Sequence, residues 1–253
     1  MKKILLAIVA MMVAGATFAT EIDANALWER GNHLYSAGDW NGAVATYDSI
    51  VSEGWESAPL YYNLAGAHFK AGNRGEAILN YHRAQRLAPA DGDIAYNLAY
   101  AESFVKDKID VVPEFVLNRW LGGVKRIMSA DAWGVMALVA LGVMLVSAGF
   151  YLLALRRGIR KAGFVVAIVA MVVMVCSVSF GSAARKALLS DGEAVVLSTA
   201  AVVKASPEKT GKDLFILHEG TKVEVLDTFG EWSEIRIADG NEGWIRSVSI
   251  EII

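Results

Sequence analysis

The sequence predicts a multidomain membrane protein in three parts: an all-α repeat domain, a hairpin of two membrane-spanning helices and a small all-β barrel. Three observations predict it. The stretch from 24 to 57 is matched by a second stretch starting at 58, a period of 34 residues. Two runs of 23 residues, Trp133–Leu155 and Ala162–Ala184, carry no charge. From residue 194 the apolar pattern changes from a helical period of 3.6 to a strand period of 2. Composition agrees. The 253 residues are 55% hydrophobic with a mean hydropathy of +0.38, too apolar for an average soluble domain.

The net charge of −3 hides a segregation. Acidic and basic residues number 0 and 2 over residues 1–19, 12 and 7 over 20–108, 3 and 9 over 109–189, and 12 and 6 over 190–253. Both flanking regions are acidic and the apolar middle is basic. Acidic domains repel phosphate backbones, so no nucleic-acid partner is expected. The single cysteine, Cys176, sits in an apolar run and has no intramolecular disulfide partner, so the flanking domains must hold together by burial alone.

Residues 1–19, MKKILLAIVAMMVAGATFA, combine Lys2 and Lys3 with a short apolar core and small residues Thr17 and Ala19. They predict a signal peptide cleaved after Ala19, with a retained anchor as the alternative. The two charge-free runs, taken as spans over 132–155 and 162–184, each reach roughly 34 Å at 1.5 Å rise, enough to cross a hydrocarbon core of about 30 Å with some tilt. Between them lies RRGIRK, residues 156–161. Short cationic loops stay cytoplasmic, so Arg156, Arg157, Arg160 and Lys161 are read as the topology determinants. The expected localisation is the bacterial inner membrane, multi-pass, with residues 20–131 and 185–253 both periplasmic. Arg185 and Lys186 lie on the wrong side for that rule, but two charges lose to four.

In the repeat region, 20–110, Leu27 aligns with Tyr61, Gly31 with Ala65, Gly38 with Gly72, Ala43 with Ala77 and Tyr47 with Tyr81, and Pro89 closes the second unit. These positions resemble the tetratricopeptide repeat. The physics fits helical hairpins: small residues permit close helix approach, Gly38 and Gly72 permit tight turns, and Tyr47 and Tyr81 fill the space between hairpins. A stretch from residue 92 begins a third unit, with Ala95, Leu98 and Ala99 matching Tyr61, Leu64 and Ala65, and reads as a capping helix. Such arrays present a concave face built mainly from the first helix of each repeat. That face is expected to carry Trp28, Asn32, Tyr35, Tyr62, Phe69, Tyr96 and Tyr100, an aromatic set suited to an extended or apolar peptide. The competing role for about half of them is packing within the superhelix. A lysine clamp for a terminal carboxylate is not expected, because Trp28 and Asp93 stand at the matching positions. Arg74 is placed in an exposed turn.

Over 190–253, the runs TKVEVL and WSEIRI alternate, separated by turns at Gly220, Gly230 and Asp239–Gly240. Five short strands in about sixty residues predict a small barrel. The pieces Gly230-x-Trp232 and Gly243–Trp244–Ile245, with Val202–Val203–Lys204 and Pro207, resemble the bacterial SH3 domain, a module that targets cell wall or peptides. Trp232 is the candidate for a surface groove, with a core role equally open; Trp244 is expected in the core.

No catalytic constellation emerges. His33, His68, His82 and His218 show no zinc-ligand spacing, and nucleophile elbows and phosphate loops are absent from the sequence. His33, His68 and His82 are expected solvated or half-buried on repeat helices. No enzyme activity, cofactor or metal is expected. Residues 111–131 begin at a helix-permissive proline, Pro113, and set Val116, Trp120, Val124 and Ile127 in a stripe beside Arg119, Lys125 and Arg126. This reads as a helix at the lipid surface, with a soluble helix packed on the repeats as the alternative. The order of parts across the whole chain resembles the BatE-like proteins of the Bacteroides aerotolerance operons. That resemblance implies company with membrane-anchored von Willebrand factor A proteins and a MoxR-type ATPase, in an envelope or stress role. The expected function is a non-enzymatic scaffold presenting two protein-binding modules; the alternative is a peptidoglycan-binding accessory that recruits cell-wall enzymes.

Overall fold

The structure, a computed structural model, describes residues 24–109, 122–124, 127–188 and 192–253. The signal segment 1–19 and most of the juxtamembrane stretch 111–131 lie outside the described residues. The chain divides into two compact units. The first holds the N-terminal helices and the C-terminal strands; the second holds the two long apolar helices.

In the first unit, α1 runs over 24–36, α2 over Trp40–Ser52, α3 over Ala58–Ala71, α4 over Arg74–Leu87 and α5 over Gly92–Glu102. Local chemistry sets the ends. The Asp39 carboxylate accepts from the Gly42 amide at 3.0 Å and starts α2, and the Ser57 hydroxyl accepts from the Leu60 amide at 3.2 Å and starts α3. Gly72 ends α3 in the left-handed region, φ 91, which lets the Asn73 amide reach the His68 carbonyl at 2.9 Å. Helix pairs then approach closely where side chains are small. A Cβ on Gly31 would lie 2.5 Å from the Tyr47 ring. Ala43, Ala65 and Ala77 are fully buried, and Tyr47 and Tyr81 are buried beside them. One core joins α2 and α3 through Tyr47, Ile50, Leu60 and Leu64.

Two expectations change here. His68 and His82 are buried rather than half-solvated, because both lie on inward faces of α3 and α4. In α5 the buried residues are Ile94, Leu98 and Ala101, whereas Ala95 and Ala99 are exposed, since among the described residues no further helix covers them.

The C-terminal strands are β1 (Glu193–Val196), β2 (Ala200–Lys204), β3 (Asp213–His218), β4 (Lys222–Phe229), β5 (Trp232–Arg236), β6 (Glu242–Arg246) and β7 (Ile250–Ile252). They form one antiparallel sheet in the order β3-β2-β6-β5-β4-β1-β7. The sequence expectation was five strands. The additional pairing of β1 with β4 and β7 comes from segments too short for alternation to register. Inside lie Ala194, Val196, Val203, Leu217, Val223, Ile235 and Ile245.

Strand β1 explains how the two halves of this unit join. Ala194 and Val196 face the barrel core, while Val195 joins Ala65, Ala77, Ile78, Leu79, Tyr81, Leu98 and Ala101 of the helices, together with Ile253. A strand buried on both faces reads as a continuous apolar run rather than as alternation, as EAVV does. Polar contacts surround this cluster. The Glu219 carboxylate accepts from the Gly75 amide at 2.6 Å, completing the first turn of α4 from 144 residues away. Arg83 donates to Glu251 at 2.8 Å and to the Ile252 carbonyl at 2.7 Å.

In the second unit, α6 spans Ala130–Leu153 and α7 spans Arg157–Leu188. Both are long and apolar enough to cross a membrane. The Ser129 hydroxyl caps α6 by accepting from the Ala132 amide at 3.2 Å. Close packing needs glycine at both ends of the pair. A Cβ on Gly163 would fall 2.8 Å from the Ser147 carbonyl oxygen, and one on Gly181 would fall 3.0 Å from Trp133 Cβ. The stretch RRGIRK, expected as a loop, is instead mostly the first turns of α7, with the reversal confined to Ala154–Arg156. The local reason is that nothing in GIRKAG breaks a helix that packing on α6 already favours.

Gly220 provides a direct test of the joint between helices and barrel. Its φ is +87, and an added Cβ would meet Ile78 Cδ1 at 2.7 Å and Val105 Cγ2 at 3.0 Å. Gly220→Ala should cost about 1–3 kcal/mol, combining backbone strain with a wedge in the interface. Hydrogen exchange should show the Gly75 amide losing protection while the β5–β6 amides keep theirs. Unchanged protection at Gly75 would refute the joint.

Candidate binding surfaces

The aromatic residues expected on one face sort into two groups. Trp28, Asn32, Tyr35 and Tyr62 mostly tie hairpins together. The Trp28 ring centroid lies 5.8 Å from that of Tyr47, and Tyr35 stacks edge-on to Trp40 at 5.1 Å. Asn32 Oδ1 accepts from the Tyr47 hydroxyl at 2.7 Å and from Asn63 Nδ2 at 3.1 Å. Tyr62 sits 5.8 Å from Tyr81 and accepts from Asn97 Nδ2 at 2.9 Å.

The second group is open. Tyr96 is 72% exposed and Tyr100 50% exposed. Phe69, Tyr100 and Phe104 form a mutual triangle with centroid separations of 5.6, 5.7 and 5.2 Å. Arg74 lies over the Phe104 ring at 5.2 Å. Phe104 and Arg74 were not among the residues picked from sequence. The spacing Tyr96, Tyr100, Phe104 at i, i+4, i+8 was the available signal for Phe104. It was obscured because α5 ends at Glu102 and the chain only continues the stripe in a turn.

On the C-terminal sheet, Trp232 is 9% exposed and therefore buried rather than open as a groove residue. Trp244, expected in the core, is half-buried. Its neighbours Gly243 and Ile245 point inward, and strand alternation sends Trp244 to the outer face beside Lys204, its partner in register. The outer face of β2–β3 also exposes Val202, Leu214 and Ile216. The topology set, Arg156, Arg157, Arg160 and Lys161, lies together at the turn between α6 and α7.

A polar latch joins the segment after α5 to the β3–β4 turn. Asp107 Oδ2 accepts from the His218 amide at 2.6 Å and from the Thr221 hydroxyl at 2.7 Å, while Oδ1 lies 2.6 Å from His218 Nδ1. Lys106 Nζ lies 2.8 Å from His218 Nε2. Burial works against the Asp107 charge, but hydrogen bonds from Thr221 and from the His218 amide and ring outweigh it and hold the carboxyl below its ordinary value. Nearby, burial and then the charge of Glu251 push the Asp48 and Glu76 carboxyls upward, with Arg83 acting in the opposite sense.

Among the described residues no group of three or more His, Cys, Asp or Glu side chains is placed to hold a metal ion.

Residues 199–251 match the family model described as the bacterial SH3 domain. The matched region begins after β1, so the strand that docks on the helices stands outside it. No curated protein matches the chain.

His68 generates a pH test of the helical core. Burial lowers its pKa from 6.5 to about 4, against a smaller opposite pull from Glu251. The unfolded chain therefore takes up this proton near 6.5 and the folded chain only near 4. Acidification between those values favours unfolding, and above them the group has no effect. The stability of the wild type relative to His68→Gln should fall as pH drops from about 7 to about 4, measured by denaturant titration of the intact chain in detergent. A difference flat with pH would refute the buried neutral imidazole.

Proposed function

We propose that the chain is a non-enzymatic scaffold of the bacterial inner membrane, whose tetratricopeptide-type helices and SH3 domain form one composite protein-binding head on the periplasmic side. The carrying observation is the shared hydrophobic cluster of α3, α4 and α5 with Val195 and Ile253. The cluster draws on segments from both sides of the apolar hairpin, which supports an even number of crossings between them. The two candidate spans supply two. The cationic turn at 156–161 then stays cytoplasmic, with the head opposite. The SH3 match supports an extracytoplasmic setting.

The exposed aromatic residues Tyr96, Tyr100 and Phe104, backed by the half-buried Phe69, are the recognition surface in this reading. Large aromatic side chains lose little rotamer freedom on burial and dominate interface energies. The partner class is protein, and the resemblance of the whole chain to the BatE-like proteins points to membrane-anchored von Willebrand factor A proteins in an aerotolerance or stress complex. A second reading rests on the SH3 match itself: the barrel binds peptidoglycan and the helices recruit a cell-wall enzyme.

Reporter fusions at residue 109 and after residue 253 should both report the periplasm, and one between Ala154 and Arg156 the cytoplasm. A cytoplasmic C-terminus would overturn the two-span reading. In-cell crosslinking with mass spectrometry should recover von Willebrand factor A proteins, and the double variant Tyr96→Ala/Tyr100→Ala should weaken capture at least about fivefold. Arg74 is unsuitable as a neutral control because it stacks on Phe104; Glu53→Ala, exposed at the end of α2, serves instead. If the double variant captures its partners unchanged while isolated sacculi retain the wild type, the cell-wall reading replaces the scaffold reading.

A further inference from the structure

At the turn of the α6–α7 hairpin lies a shallow, open cavity of about 300 Å³ lined by the exposed side chains of Tyr151, Arg157, Arg160, Lys161 and Phe164. We propose that this cavity is a binding site for the phosphate-bearing headgroup of an anionic phospholipid.

Charge is the first argument. Three of the five lining residues are cationic, and none is ion-paired with a carboxylate among the described residues. The sequence has no Asp or Glu between Asp131 and Asp191. The cations also sit at an unfavourable place. Helix α7 begins at Arg157 with no acidic residue in its first turn, so positive side chains crowd the positive end of the helix dipole and its unpaired amides. A bound anion offsets both at once.

Geometry is the second argument. Arg160 Nε donates to the Tyr151 carbonyl at 3.2 Å, and its guanidinium stands 5.6 Å from the Tyr151 ring centroid. The side chain is thereby held against Tyr151 through Nε and the guanidinium plane, and among the described residues its terminal nitrogens have no carboxylate partner. A guanidinium fork matches phosphate oxygens in two-point contact. Tyr151 and Phe164, 5.4 Å apart, form the apolar wall.

Location selects the source of the phosphate. The cavity lies where two helices of membrane-spanning length meet, which is the level of lipid phosphates. Phe150, Leu152, Leu153 and Leu155 nearby are exposed and apolar, suited to acyl chains. With no carboxylate to receive an ammonium, the site favours an anionic headgroup over a zwitterionic one.

The test uses the full chain in detergent, titrated with phosphatidylglycerol or phosphatidylcholine and read by native mass spectrometry. Phosphatidylglycerol should be retained at one molecule per chain and phosphatidylcholine should not. Arg157→Gln or Lys161→Gln should lower occupancy about fivefold, and Arg157→Lys should restore most of it. Lys161→Gln provides the reading if Arg157→Gln fails to insert. Arg156→Gln and Arg185→Gln remove cations that do not line the cavity and should leave occupancy unchanged. Equal retention of phosphatidylcholine, or an equal loss in those two controls, would overturn the proposal in favour of diffuse surface charge. Full displacement by millimolar inorganic phosphate would also overturn it, showing a site for free phosphate rather than for lipid.

Discussion

The architecture of the head depends on the burial of Val195 and Ile253 among the α3–α5 side chains. A small all-β module of about sixty residues has a limited core of its own, and five short helices likewise bury little apolar surface alone. Each module leaves apolar surface that the other covers. The polar contacts around that patch are oriented by it: Glu219 on the first turn of α4, Arg83 on the β7 backbone, and Asp107 on the β3–β4 turn. Placed in water, such contacts contribute little. Fixed beside a dry cluster, they set the register of barrel against helices.

That joint also determines which surfaces remain for partners. The faces of α4 and β1 that meet are spent on each other, leaving Tyr96, Tyr100 and Phe104 and the outer face of β2–β3 exposed. The outward side chains Val202, Ile216 and Trp244 give the barrel a second exposed apolar area. In the proposed scaffold both areas belong to one rigid head, so a ligand spanning them gains from preorganisation.

The apolar hairpin poses a different physical problem. Its helices satisfy their own backbone groups, and glycine at 163 and 181 brings them into contact. What packing does not satisfy is charge at the turn. Cations on the positive end of a helix are an unresolved electrostatic cost within the polypeptide itself, and the proposed lipid phosphate is the simplest counter-charge at that depth.

Periodicity and composition alone sufficed for a helical N-terminal region, the two apolar helices and the antiparallel C-terminal sheet, because each depends on local patterning: a helical apolar period, charge-free runs, and alternation between glycine turns. The SH3 pieces around Gly230–Trp232 and Gly243–Ile245 were legible for the same reason. Sequence did not reveal β1 and β7, since a short strand buried on both faces has no alternation to read. Nor did it separate packing aromatics from exposed ones. Trp28 and Tyr96 look alike in a repeat frame, yet one lies against Tyr47 and the other lies open on α5. The burial of Trp232, the partial exposure of Trp244 and the stacking of Arg74 on Phe104 were likewise decided by neighbours distant in the chain. Burial is a property of what covers a residue, and in this protein the covering element is often more than a hundred residues away.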